Sequence, residues 1–171
     1  MNQKNSLGLD ICFKDEDNPF KLFEEWFDLA KEKEPNDPNA LALATSDKKG
    51  NPNVRMVLLK GFSEKGFVFY TNLNSPKSKA LLANPKASMC FHWKSLLRQI
   101  RIFGIIENVS DKEADDYYNS RKYGSRIGAW ASKQSTTLKN RDELLSSIDK
   151  YKKNIQTQMK YQDLNIGQDG D

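Results

Sequence analysis

The change of hydrophobic period at Ala40 constrains the fold more than any other feature of this sequence. Before it, Phe20, Phe23, Trp26, Phe27 and Ala30 recur at spacings of three and four, which puts them on one face of a helix. Asn18-Pro19 opens that helix, with Asn as N-cap and Pro at the first helical position. The charged stretch Lys31 to Pro38, with its two prolines, ends it. From Ala40 the period is two. Ala40–Ser46 and Asn53–Lys60 read as strands joined by Asp47-Lys48-Lys49-Gly50-Asn51-Pro52, a hairpin signal. Gly66–Asn72 reads as a third strand. Ser75-Pro76 repeats the cap signature and opens a short helix through Leu82 that stops near Asn84-Pro85. Lys86–Trp93 and Gln99–Val109 read as two more strands. Asp111 starts a helix containing Tyr117 and Tyr118, Arg121 to Gly128 reads as a basic, glycine-containing connection, and Leu138 to about Tyr151 as a last helix.

Short strands at tight spacing, with helices as plugs and covers, predict a mainly β fold with flanking helices, a small antiparallel barrel. A parallel sheet is excluded because most strand pairs lack a crossover helix between them. The 171 residues suit one domain, and a hydrophobic fraction of 37% is enough for a core. The expected organisation is a polar arm over 1–17, a barrel domain over 18–151 and a polar tail over 152–171. No apolar run approaches the ~20 residues that cross a bilayer, and Met1 to Leu9 lacks the apolar stretch of a signal peptide. Cys12 and Cys90 are far apart and form no CxxC, which predicts reduced thiols in a cytoplasmic protein and no zinc site. The net charge of +4 is spread among acidic residues, with no basic stripe. That balance suits an anionic small molecule as well as nucleic acid, but a nucleic-acid binder would show a concentrated basic stripe or a known motif, and the sequence has neither.

Four stretches can carry chemistry, each with a plainer reading beside it. In Arg55-Met56-Val57-Leu58-Leu59-Lys60, strand alternation gives each face one cation beside apolar residues. This is either a platform for an aromatic anion or a pair of charges snorkelling to solvent. Tyr70-Thr71-Asn72-Leu73-Asn74-Ser75-Pro76-Lys77 runs into a helix whose first turn carries a lysine, which is either a phosphate site or ordinary capping. Tyr117-Tyr118-Asn119-Ser120-Arg121, followed by Ser125, gathers a phenol, a guanidinium and a hydroxyl that can hold a phosphate. It also fits an amphipathic helix with a basic end. Ile127 to Ser135 sets small residues beside Trp130, then Gln134 and Ser135, which suits either a planar ligand with a polar edge or a buried core tryptophan. His92 is the sole histidine, so Ser-His-Asp and His-metal schemes have little support, and nothing singles out a catalytic carboxylate pair.

In this order, the strings RMVLLKGF, GFVFYTNLNSPKSKALLANP, LRQIRIFG and YYNSRKYGSRIGAWASKQS resemble the pyridoxine/pyridoxamine 5′-phosphate oxidase family, and PFKLFEEWFDLA looks like its leading helix. The likeness runs from about Asn18 to about Tyr151. The resemblance implies a homodimeric, FMN-binding split β-barrel with the flavin at the subunit interface. It implies FMN contacts from the strand Arg55, Met56, Val57, Leu58, Leu59 and Lys60, from Tyr70 and Thr71, from Pro76 and Lys77, and from Gln99, Gln134 and Ser135. It further implies that Lys60, Tyr117, Arg121 and Ser125 hold the phosphate of the B6 substrate. The implied reaction transfers hydride from C4′ of pyridoxamine or pyridoxine 5′-phosphate to the flavin, and molecular oxygen then takes the electrons. The products are pyridoxal 5′-phosphate and hydrogen peroxide. Because the flavin does the redox work, no protein acid–base residue is required.

Two departures from the family pattern stand out. Pro76 occupies a position where the family often has a second basic residue. The family also continues into further strands bearing a Trp, an Arg-Leu-His motif and another Arg, whereas this sequence ends in NIGQDGD. The expectation from this ending is a truncated or frameshifted chain that folds and dimerises with weakened FMN binding and little turnover. The alternative function is accordingly an FMN- or B6-phosphate-binding protein with little or no oxidase activity.

Overall fold

The computed structural model describes residues 16–132 and 134–157. The expected arm and tail therefore lie largely outside the described residues. Helix α1 (Pro19–Lys33) starts where the capping signal places it: the Asn18 side-chain oxygen accepts from the amides of Phe20 and Lys21. Lys31 and Lys33 in its last turn complement the helix dipole. Phe23, Phe27 and Ala30 are buried against a sheet.

That sheet has the order β2-β1-β5-β6, all antiparallel, built from β1 (Ala40–Ser46), β2 (Pro52–Leu58), β5 (Lys86–Trp93) and β6 (Arg98–Ile105). A two-stranded hairpin, β3 (Gly61–Ser63) and β4 (Gly66–Val68), stands apart from it. Alternation works as period-two sequence requires: Leu41, Leu43 and Thr45 of β1 and Ala87, Met89, Phe91 and Trp93 of β5 all point to the α1 side. There Phe23 meets Phe62 and Phe67 edge-on, each at 4.8 Å between ring centres, and Phe91 at 5.3 Å. The hairpin thus contributes its aromatic pair to the same core. The opposite face of the sheet is different. Its middle carries Ala40, Ala42, Ala44, Ser88 and Cys90, while Val54, Met56, Phe103 and Ile105 at its two edges are more than three-fifths exposed.

The remaining helices are α2 (Pro76–Ala83), α3 (Asp111–Ser120), α4 (Tyr123–Ala131) and α5 (Arg141–Thr157). A second small core joins them around Ala114 and Tyr118, with Tyr70, Val109, Tyr117, Ala129 and Trp130 packed against it.

The expected antiparallel sheet with flanking helices is what the chain forms, but several boundaries move. The strand expected over Asn53–Lys60 ends at Leu58, because the Leu59 amide bonds the Asn39 carbonyl and the Lys60 amide bonds the Val68 carbonyl. Pairing passes there from β1 to β4, which turns Gly66–Asn72 into half of a hairpin with β3. The strand expected over Gln99–Val109 ends at Ile105. Arg121 to Gly128 is not a connection: α4 begins at Tyr123. Its glycines suggest a loop, since each costs a helix about 1 kcal/mol, yet Ile127 and Ala131, four apart, are both buried, and this outweighs that cost. The last helix runs to Thr157, six residues beyond the expected end.

Candidate functional site

A cleft of about 640 Å³ opens beside the outer edge of β2, between the chain leaving β4, the start of α2 and the α3–α4 corner. From β2 and its continuation come Arg55, Met56, Val57, Leu58 and Lys60. The chain after β4 supplies Tyr70 and Thr71, and α2 supplies Lys77. The α3–α4 corner supplies Tyr117, Ser120, Arg121, Lys122 and Ser125, and the segment after α4 supplies Gln134 and Ser135.

Arg55 is not a snorkelling charge. Its Nη1 donates inward across the sheet, to the Leu43 carbonyl at 3.0 Å and the Thr45 hydroxyl at 2.8 Å, and burial lowers its pKa. Lys77 is not solvated either: only 8% of it is exposed. Its Nζ donates to Thr71 Oγ1 at 2.6 Å, Gln134 Oε1 at 2.7 Å and Ser75 Oγ at 3.2 Å. These three acceptors are neutral oxygens. Ser75 is also the N-cap of α2, accepting from the Ser78 amide, and Ser78 Oγ donates to the Asn72 carbonyl at 2.7 Å. One network therefore fixes the start of α2 and the position of its lysine. Ser135 has a left-handed backbone, φ 57°, unusual for a residue with a side chain and common where a site dictates geometry.

At the other end of the cleft Tyr70 and Tyr117 stack, with ring centres 3.7 Å apart and planes 4° from parallel. Lys60 Nζ and the Arg121 guanidinium lie 5.8 Å and 6.0 Å from the centre of the Tyr117 ring. Burial, followed by the charge of Glu113 and by Tyr117 and Asp116, raises the Tyr70 pKa. The phenol therefore stays protonated at neutral pH and donates to the Glu113 carbonyl at 3.4 Å. Trp130 takes the core role left open for it, donating from Nε1 to Tyr118 Oη at 2.9 Å.

Among the described residues, five that line the cleft are cations, namely Arg55, Lys60, Lys77, Arg121 and Lys122, and none is Asp or Glu. A larger groove of about 740 Å³ runs along β4, α2 and the end of β6, but Lys65, Glu107 and Glu113 give it mixed charge over an apolar floor. Among the described residues, no group of three or more His, Cys, Asp or Glu is placed to hold a metal ion. No helix among them is long and apolar enough to cross a membrane.

Sequence comparison decides the ancestry. The profile of the family described as Pyridoxamine 5'-phosphate oxidase matches residues 29–154. The chain belongs to the pyridoxamine 5'-phosphate oxidase family. Within it, the Pyridoxine/pyridoxamine 5'-phosphate oxidase of Pelagibacter ubique is 68% identical over 153 residues, which make up 90% of this chain and 74% of that protein. The enzyme of the same name from Brucella anthropi is 60% identical over 139 residues, 81% of this chain and 68% of that one. Among solved structures, PhzG from Burkholderia lata 383, in complex with tetrahydrophenazine-1-carboxylic acid, is similar with a TM-score of 0.76 at 26% identity, covering 81% of this chain and 68% of that chain. A pyridoxamine 5'-phosphate oxidase-related, FMN binding protein from Nostoc punctiforme shares the fold, with a TM-score of 0.60 at 18% identity over 76% of this chain and 72% of that one. The family fold is thus the split barrel expected from the sequence.

Of the residues that the pyridoxamine 5'-phosphate oxidase resemblance points to, all but three line the cleft. Leu59 does not: it is 4% exposed and belongs to the main core, because strand alternation turns it to the α1 side. Pro76 sits at the first position of α2 with its ring exposed, while its neighbour Lys77 turns inward. Gln99 lies on the exposed face of β6, outside the cleft. Conversely, Ser120 and Lys122 line the cleft without having been singled out as ligands. The available signal was their position on either side of Arg121, and it was obscured by reading the following residues as a loop.

Proposed function

We propose that this chain binds FMN and oxidises pyridoxamine 5′-phosphate or pyridoxine 5′-phosphate to pyridoxal 5′-phosphate in the cytoplasm, with molecular oxygen reduced to hydrogen peroxide. The observation that carries the reading is the set of five cations in one cleft with no carboxylate. Two phosphate monoesters, each bearing about −1.5 to −2 at neutral pH, nearly balance that charge. The contacts set Lys77, held by Thr71 and Gln134, apart from Lys60 and Arg121, which flank the Tyr117 ring.

The residues present fit FMN. Lys77, Thr71, Gln134 and Ser135 would hold its phosphate and polar rim, with Arg55, Met56, Val57 and Leu58 lining the same cleft. When bound, FMN supplies the hydride acceptor and passes electrons to oxygen. The chain's own contribution is binding and orientation. Lys60, Tyr117, Arg121 and Ser125 take the substrate phosphate through charge-assisted bonds, and the stacked Tyr70–Tyr117 pair fixes the ring that Lys60 and Arg121 flank. The names of relatives 68% and 60% identical support this assignment.

The active form in this reading is a homodimer. The outer face of the sheet has a middle of small side chains between two apolar edges, a shape that fits a copy of itself. Met56 and Leu58 belong both to that face and to the cleft lining. A two-fold pairing therefore brings Gln99 of one protomer toward the cleft border of the other.

The deciding experiment is an absorbance spectrum after adding FMN and removing the excess, followed by anaerobic pyridoxamine 5′-phosphate. Retained flavin bands that bleach are the expected result, and failure to retain flavin refutes the assignment. A second reading, a flavin- and B6-phosphate-binding protein with little or no oxidase activity, predicts retained bands that do not bleach. Within the first reading, Arg121→Ala is expected to weaken binding of the B6 phosphate roughly tenfold to fiftyfold while FMN stays bound, the usual loss for a charge-assisted contact. Titration of the flavin-loaded variant checks this, and equal loss of both ligands would sink the proposed division of the cleft.

A further inference from the structure

Lys122 lines the cleft beside Arg121 and Ser125, yet neither the family resemblance nor the reading above gives it a role. It is the N-cap residue of α4, with extended backbone (φ −57°, ψ 142°) and no side-chain capping bond. Its carbonyl accepts the amides of Ser125 and Arg126 at 2.9 Å and 3.1 Å. The backbone is therefore committed to starting the helix, while the ammonium makes no hydrogen bond or ion pair among the described residues. What sets it apart from other exposed lysines is its place on the cleft lining, next to Arg121 and one helical turn from Ser125. An exposed lysine at the mouth of a cleft that also holds buried Lys77, half-buried Arg55 and Arg121 and exposed Lys60 adds long-range attraction for a dianion.

We infer that Lys122 is a further specificity residue of this site, drawing in the phosphate of the substrate and discriminating phosphorylated from unphosphorylated pyridines. The inference rests on the proposed assignment of the α3–α4 corner to the substrate phosphate. It acts through charge at moderate distance, so it weakens as salt shortens the screening length to about 3 Å near 1 M.

The test uses the flavin-loaded chain and 4-deoxypyridoxine 5′-phosphate, whose methyl group in place of the reacting carbon substituent prevents both oxidation and Schiff-base formation. Its affinity is compared with that of unphosphorylated 4-deoxypyridoxine in wild type, Lys122→Ala, Lys122→Arg and Lys122→Glu. At low salt Lys122→Ala is expected to weaken the phosphorylated ligand about fivefold, the size of an exposed charge pair. Lys122→Glu weakens it further, Lys122→Arg restores it, and the unphosphorylated ligand is unchanged. Near 1 M salt the differences close. If wild type and Lys122→Ala bind the phosphorylated analogue equally at low salt, or if both ligands weaken alike, the inference is overturned while the site assignment stands. If the wild-type chain fails to prefer the phosphorylated ligand at all, the assignment falls and the role of Lys122 falls with it.

Discussion

Replacing Lys77 by Met is expected to raise the dissociation constant for FMN about a hundredfold, measured by titrating flavin absorbance or fluorescence against the apoprotein. Lys77 is 92% buried, its ammonium held by Thr71, Ser75 and Gln134 at the first turn of α2. A charge there is unfavourable without a counterion, because burial removes hydration that neutral oxygens only partly replace. A phosphate at this position supplies the counterion, and charge-assisted bonds contribute about 1.5–3 kcal/mol each. A hundredfold change is about 2.7 kcal/mol, within reach of one such contact. Methionine occupies nearly the same volume as the lysine stem, so the fold is expected to survive. Replacing a buried charged side chain by an apolar one of similar volume is often neutral for stability, so the apoprotein melting temperature is expected to stay close to that of wild type. Lower flavin affinity with undiminished apoprotein stability separates a ligand-binding lysine from a structural one. Flavin affinity within about threefold of wild type would instead place the phosphate elsewhere.

Where the sequence was legible, the physical signal was local. The buried positions of β1 and β5 follow from strict alternation, and the start of α1 from Asn18-Pro19. The cleft was largely legible because consecutive segments bring its residues together: Arg55 to Lys60, Tyr70 to Lys77, and Tyr117 to Ser125 each arrive as one run. What was not legible depended on long-range partners. Leu59 was assigned to the ligand strand, but whether the side chain after Leu58 faces core or cleft depends on where pairing with β1 stops, and the bond from its amide to Asn39 decides that. The helix α4 was hidden by Gly124 and Gly128, since the packing of its Ala129 and Trp130 against Ala114 and Tyr118 of α3 leaves no mark on the local pattern. Gln99 is a third case. Its exposed position on β6 has no meaning within one chain and acquires one only if the sheet faces a second copy.

That second copy can be tested through Phe103 and Ile105, which are 76% and 71% exposed in the single chain. The double variant Phe103→Asp, Ile105→Asp is expected to convert a dimer into a monomer by sedimentation, raising the dimer dissociation constant at least about a thousandfold. Both side chains lie on the outer face of an edge strand, where a protomer tolerates carboxylates because they remain in water. A two-fold interface is isologous, so each dimer would have to bury both substitutions from both copies. Four carboxylates of like charge then lose hydration, a loss that Lys86 and Arg101 on the same face offset only in part, and about 4 kcal/mol, a thousandfold, is the expected size of that cost. Because Met56 and Leu58 join this face to the cleft, flavin retention should fall in the same variant even though neither substitution touches the cleft of its own chain. Leu29→Asp is the control: Leu29 is 38% exposed but lies on α1, which packs against the opposite face of the sheet, and should leave the dimer intact. If the double variant sediments as wild type does, the outer face is not the interface, and Gln99 loses its route to a flavin. If it becomes monomeric yet retains FMN at wild-type affinity, the interface is correct but the cofactor is held by one chain alone.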